Sequence, residues 1–296
     1  MPVWILFALT SSLCLGFYDI FKKISVRGNN VLVVLLLNTL FGTLYLSPVL
    51  AGNLASGHWG LGDTVAGHLL IVVKAVIVLS SWILGYFAIK HLPLTIQGPI
   101  NATRPVLVLV GALCIFGERL NGLQWAGIIA GFLSLYFISR IGKKEGFTLK
   151  GSSWLWMSVG AMVLGAVSAL YDKYLLRHYL PLEVQAWYSL YQLLLMAVIV
   201  ALLFRFDSRA GAVKFTWRWT IPCIALFLTV ADVAYFYSLS QEGAMISIVS
   251  MVRRGSVIVP FVYGVVALHE KNVKEKSLDL GLLLLSLGLL VAGSRM

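Results

Sequence analysis

The chain has 296 residues, of which 59% are hydrophobic and only 12% charged, with a mean hydropathy of +0.90 and a formal charge of +11. A soluble globular domain carries about 25% charged residues, so the composition excludes an ordinary soluble fold. The positive charge does not make a nucleic-acid binder, because the basic residues fall in short stretches between apolar runs.

Ten apolar runs follow one another: 3–21, 31–50, 69–89, 92–116, 123–139, 154–174, 184–204, 219–239, 244–268 and 278–293. Each is close to the length that crosses a bilayer core as a helix. The first run carries Gly16, Tyr18 and Asp19 and is followed by Lys22 and Lys23. It lacks a basic leader and a small-residue cleavage site, so it reads as a retained helix. The third holds Tyr86. The fourth holds Gln97, Pro99, Asn101, Arg104 and Pro105, and the fifth has Gly127 and Gly131 on one close-packing face. A polar linker, 141–153, leads to the sixth run, which ends at Tyr171 and Asp172. The seventh carries Tyr188, Tyr191 and Gln192, the eighth has Asp232 at mid-span, and the ninth has Ser247, Ser250, Arg253 and Arg254. The tenth has Gly281 and Gly288. No stretch is left for a separate soluble domain.

The second half repeats the first. Tyr18-Asp19 answers Tyr171-Asp172, Tyr86-Phe87 answers Phe236-Tyr237, and Glu118 answers Glu270. Arg104 falls on Arg254 or Arg253, the choice staying open because two residues are inserted within the ninth run. Five spans per repeat is an odd number, so the second repeat runs inverted to the first. The expected architecture is an all-α membrane protein with ten transmembrane helices in two inverted five-helix repeats, 1–140 and 154–296. Inverted repeats with a midplane site between them are a transporter design.

Loop charge sets the orientation. Fifteen Lys and Arg fall on one side and five (Lys74, Arg119, Lys173, Arg177 and Arg295) on the other. The excess of basic residues on cytoplasmic loops places both termini on the non-cytoplasmic side of a plasma (inner) membrane.

Arginine at the centre of a membrane helix costs about 2.5–3.5 kcal/mol on insertion scales, so it faces a partner or a wet cavity. Gln97, Asn101 and Arg104 share one helical face, as do Ser247, Ser250 and Arg254. Two such stripes facing each other would line a cavity that accepts carboxylate or phosphate, which the planar guanidinium fork suits. The opposing reading is that the arginines pair permanently with Asp19, Asp172 or Asp232. Those three acids are the candidates for ion pairing or coupling, Asp232 the best placed for an arginine and the other two open to interfacial pairs with Lys22, Lys23 or Lys173. Tyr18, Tyr171, Tyr86, Tyr188 and Gln192 are the candidates to cover an apolar or cationic part of a ligand. Glu118 and Glu270 read as caps. Cys14, Cys114 and Cys223 form no framework, and no metal, nucleotide or hydrolase motif is present, so neither an enzyme nor a cofactor is expected.

Arg104-Pro105, a dozen apolar residues, then Gly117-Glu118-Arg119, followed by Gln124-Trp125-Ala126-Gly127 and Gly131, together with Gly16 and Lys23, resemble the pattern of EamA-type members of the drug/metabolite transporter superfamily. The second half departs from it, with Gly255 in place of the ninth-run proline and His269-Glu270-Lys271 in place of Gly-Glu-Arg. The resemblance implies secondary transport of a small organic metabolite. Combined with the arginine stripes, the expectation is an acidic or zwitterionic solute moved by alternating access with proton or exchange coupling. The partners would be that solute and membrane lipid, the chain acting as monomer or homodimer. Flipping of a phosphorylated or polyprenyl-linked lipid is the alternative within transport, and an intramembrane enzyme or sensor the alternative outside it.

Overall fold

A computed structural model describes residues 2–55, 60–91, 104–141, 153–206, 214–259, 263 and 273–294. Ten α-helices lie among them: α1 Val3–Val26, α2 Val31–Ala55, α3 Val65–His91, α4 Arg104–Phe116, α5 Gly122–Ile141, α6 Ser153–Leu175, α7 Pro181–Phe206, α8 Thr220–Ser240, α9 Ile246–Arg254 and α10 Val273–Gly293. One helix answers each apolar run, and no strand occurs among the described residues. Six of them (α1, α2, α3, α6, α7 and α8) are long and apolar enough to cross a membrane, with mean hydropathies of 1.6 to 2.1 over their apolar stretches. Shorter apolar helices come from α4, α5 and α10.

The packing has the symmetry of the repeat. α1 lies along α8 and α3 along α6; α2 touches α8 and α3 touches α7; α1 meets α9 and α4 meets α6; and α2–α7, α4–α9 and α5–α10 pair with each other. Exchanging each helix with the one five places on turns this set of contacts into itself. Five crossings separate such partners, so a pair related this way runs in opposite directions, which is an inverted repeat.

Lipid tails are as apolar as leucine, so close approach at small residues, not hydrophobic burial, holds such helices together. A Cβ on Gly127 would stand 2.8 Å from Leu290 of α10, and one on Gly131 would stand 2.8 Å from both Met251 of α9 and Ser286 of α10. The Gly127–Gly131 face is therefore spent inside the protomer. The Ser286 hydroxyl donates to the Gly127 carbonyl at 2.6 Å. Ser134 and Ser286 stand in corresponding places 152 residues apart, as Glu118 and Glu270 do, and both are fully buried.

Helix ends are closed by reciprocal side chains. Asn121 Oδ1 accepts from the Gln124 N–H and Gln124 Oε1 accepts from the Asn121 N–H, both at 2.9 Å, which is a capping box at the start of α5. The Asn121 amide also donates to the Gly293 carbonyl at 2.6 Å, tying α5 to the end of α10. Glu118, in the α4–α5 connection, caps α9. Its carboxylate accepts from the Ile246 N–H at 2.6 Å, the Ser247 N–H at 3.2 Å and the Ser247 hydroxyl at 2.5 Å. Glu270 lies outside the described residues.

The continuous ninth helix expected over 244–268 takes another form. α9 has only nine residues, and at Gly255 the backbone tightens to a 3-10 turn, Gly255–Val257. The helical hydrogen-bonding pattern thus changes directly after the arginine pair.

Candidate functional site

Four cations and two acids gather inside the bundle, with a third acid, Asp19, exposed on α1. α3 brings Lys74, α4 Arg104, and α9 Arg253 and Arg254; α1 brings Asp19, α6 Asp172, and α8 Asp232. Lys74, assigned from the sequence to the loop charges of one side, is instead the largest fully buried side chain of α3 at 2% exposure. Its ammonium pairs with Asp172 at 2.7 Å and lies 4.5 Å from the Tyr188 ring centre and 3.9 Å from that of Phe236. A buried ammonium is tolerated on these terms, with one carboxylate and two aromatic faces replacing its hydration. Asp172 is thereby the partner of Lys74. Lys173 turns the other way and donates to the Ala244 carbonyl.

The Asp232 carboxylate pairs with Arg253 at 2.8 Å, and the Arg253 guanidinium also lies over Tyr235, 4.0 Å from the ring centre. Both members keep about a fifth of their surface open, 20% and 22%. Arg253 Nε has no hydrogen-bond partner among the described residues. Arg104 Nη2 donates to the Gly165 carbonyl of α6 at 2.6 Å. Gly165 is what admits the guanidinium there, since a Cβ would stand 2.6 Å from Arg104 Cζ. Arg254 lies within electrostatic reach of Arg104, Arg253 and Asp19. The α1 counterpart of Gly165, at the Tyr18–Tyr171 offset of 153, is Ser12, and Ser12 lies against Gly255. By that contact Arg254, the residue before Gly255, is the nearer match to Arg104.

The remaining candidates divide. Tyr188 and Gln192 line a small internal cavity with Asp232, Asn38, Thr39, Gly42, Trp82, Gln185, Ser189 and Thr229. The Tyr171 hydroxyl donates to the Leu70 carbonyl at 3.1 Å, and Tyr18 stacks under Lys22 at 5.3 Å, so the two repeat tyrosines do not meet. Ser247 gives its hydroxyl to Glu118, and Ser250 sits half-buried one turn before the arginines. The Tyr86 side chain, Gln97 and Asn101 lie outside the described residues. Sequence reasoning missed Lys74, Gly165, Asn38, Trp82 and Gln185. A lysine inside the 69–89 run was the signal for the first, and the 150-residue repeat offset was the signal for the cavity set.

A wider opening of about 570 Å³ lies at the end that holds both termini, among Pro2, Trp4, Arg119, Gln124, Glu242, Met245 and Ser294. It contains none of the arginines of α4 and α9. Arg254 lies eight residues further along α9 than its capped start, about 12 Å deeper at 1.5 Å per residue.

Residues 2–140 match the EamA-like transporter family. The first half of the chain is thus similar to an EamA-like transporter unit. A curated relative, an uncharacterized transporter from Archaeoglobus fulgidus, is 24% identical over 246 residues, 81% of this chain and 84% of the relative. A solved crystal structure superposes with a TM-score of 0.75 at 16% identity, covering 98% of this chain and 96% of that one, and shares the fold. The apolar helices fit a multi-pass membrane protein, and the matching family and the curated relative are both described as transporters.

Proposed function

We propose that the protein carries a small acidic or zwitterionic organic solute across the plasma (inner) membrane by alternating access, with Arg104, Arg253 and Arg254 as the group that holds its anionic end. The observation that carries this reading is the gathering of three half-buried guanidiniums from α4 and α9, helices that correspond in the two repeats. Of these three arginines, only Arg253 has a carboxylate within salt-bridge distance among the described residues, while Arg104 rests on a neutral carbonyl. A planar guanidinium with donors to spare binds carboxylate or phosphate bidentately, and a site between inverted repeats is reached from either face as they rock. Coupling by proton or by exchange would run through Asp232, whose carboxylate either keeps Arg253 or yields it to the solute. Both termini lie on the non-cytoplasmic side in this reading.

The test is thermal stabilisation of the purified protein by a panel of anionic, zwitterionic and cationic metabolites, since a ligand that binds only the folded state raises its apparent stability. Acids, phosphates or zwitterions are expected to raise the melting midpoint of wild type and not of Arg104→Gln or Arg254→Gln. Stabilisation by cations alone, or an unchanged response in both variants, contradicts the assignment.

A further inference from the structure

The small cavity among α2, α3, α7 and α8 lies on the pseudo-symmetry axis. Asn38 corresponds to Tyr188, Thr39 to Ser189, Gly42 to Gln192 and Trp82 to Asp232, each at an offset of 150, and all eight line it. Its volume is about 30 Å³, room for little more than one water-sized body. No organic solute fits.

Its wall is rich in acceptors, with one unpartnered donor among the described residues, Gln192 Nε2. Asn38 and Gln185 are 4% and 3% exposed, and Asn38 Oδ1 and Gln185 Oε1 have no hydrogen-bond partner among the described residues. The Thr39 hydroxyl donates to the Leu36 carbonyl and the Ser189 hydroxyl to the Gln185 carbonyl, both at 2.8 Å. Their hydrogens are spent, so toward any neighbour these oxygens act only as acceptors. Asp232 adds a carboxylate with one oxygen on Arg253. A water's two hydrogens would match the two unpartnered amide oxygens, so what points past water to a cation is the addition of the Asp232 carboxylate and the two hydroxyl oxygens. Amide, hydroxyl and carboxylate oxygens are the ligands of hard cations. One carboxylate, already shared with an arginine and near Lys74, offsets a single charge and not two.

We propose that the axial cavity binds one small, dehydrated monovalent cation of Na⁺ size, held by the Asn38 and Gln185 amide oxygens, the Thr39 and Ser189 hydroxyls and the Asp232 carboxylate. The Arg253–Asp232 pair then joins two sites. An anion that draws Arg253 away frees the Asp232 carboxylate for the cation, so each ligand strengthens the other, by the same factor in both directions. This linkage rests on the anion-binding reading of the arginines; the cation site does not.

The experiment is thermal unfolding of the full-length protein in detergent, in sodium, potassium or choline chloride at equal ionic strength and pH. The expected result is a saturable rise of a few degrees in sodium over choline, absent in Asn38→Leu and Gln185→Met. The conservative Thr39→Val serves if either variant fails to fold, and is expected to shift the sodium response to higher concentration. In Arg253→Gln the response moves to sodium concentrations roughly five-fold lower or more. Equal midpoints for wild type in all three salts overturn the cation site. A sodium response in wild type with no stabilisation by any acid or phosphate keeps the cation site and sinks the anion reading.

Discussion

Lys74 and Asp172 illustrate what a buried charge pair does to a membrane helix bundle. Each alone would be an uncompensated ion in a low-dielectric interior, and removing one partner of such a pair costs about 3–5 kcal/mol, whereas replacing both with apolar groups is close to neutral. Lys74→Met is therefore expected to lower stability by that amount, and the double variant Lys74→Met/Asp172→Leu to recover most of it, measured as a double-mutant cycle in denaturant unfolding. A cycle in which the two losses simply add would show that the pair is not coupled. The ionisable residues themselves were legible, since any charge in an apolar run stands out. Their partners were not. Lys74 and Asp172 are 98 positions apart, and nothing in periodicity says which of several acids turns toward which cation. The charge count places Lys74 with the loop charges of one side; only the packing of α3 on α6 reveals that it points inward.

At the scale of the element, the helices follow from the apolar runs, and their ends follow from contacts the runs do not encode. α9 is the clearest case. A helix of nine residues leaves a large share of its N–H groups without intrahelical partners, and the carboxylate satisfying two of them arrives from Glu118, 128 residues before Ile246. Glu118→Ala should cost about 2 kcal/mol, at the upper end of capping effects because two N–H groups and a hydroxyl lose their acceptor together. Glu118→Gln, which keeps a carbonyl oxygen, should cost less. Melting midpoints of the two variants measure this, and equal losses would mean that charge, not the acceptor, holds α9. The reading of Glu118 as a cap was available from its place just past an apolar run. That it caps α9 rather than its own neighbours was not, since the contact spans the two repeats. The 3-10 turn at Gly255 was equally hidden, although glycine directly after Arg254 marks where helical backbone is least favoured.

For the whole molecule, the exchange of each helix with its partner five places on was written in the sequence as short echoes: Tyr-Asp in α1 and α6, Glu after α4 and after the ninth run, arginine in α4 and α9. What the echoes could not supply is where the axis passes. It runs between α2, α3, α7 and α8, and there the repeat has diverged most usefully, tryptophan answering aspartate and glycine answering glutamine. A carrier built this way keeps an architectural symmetry for its motion and an asymmetric set of side chains for chemistry. The arginines sit off that cavity, joined to it by Asp232. Gly165 offers a way to disturb the site while sparing the fold, because the atoms a methyl group would meet there belong to the flexible end of Arg104.

The measurement that bears most directly on this account is uptake into proteoliposomes of whichever solute stabilises the purified protein, comparing wild type with Arg104→Gln, Arg254→Gln and Gly165→Ala. Misplacing a binding group by about 1 Å costs as much as 100-fold in rate. All three variants are expected to insert and purify normally and to lose uptake by about 10-fold to 100-fold, Gly165→Ala doing so with little change in melting midpoint. Uptake at the wild-type rate in both arginine variants would contradict the account, and would return Arg104 and Arg254 to the role of structural contacts between helices.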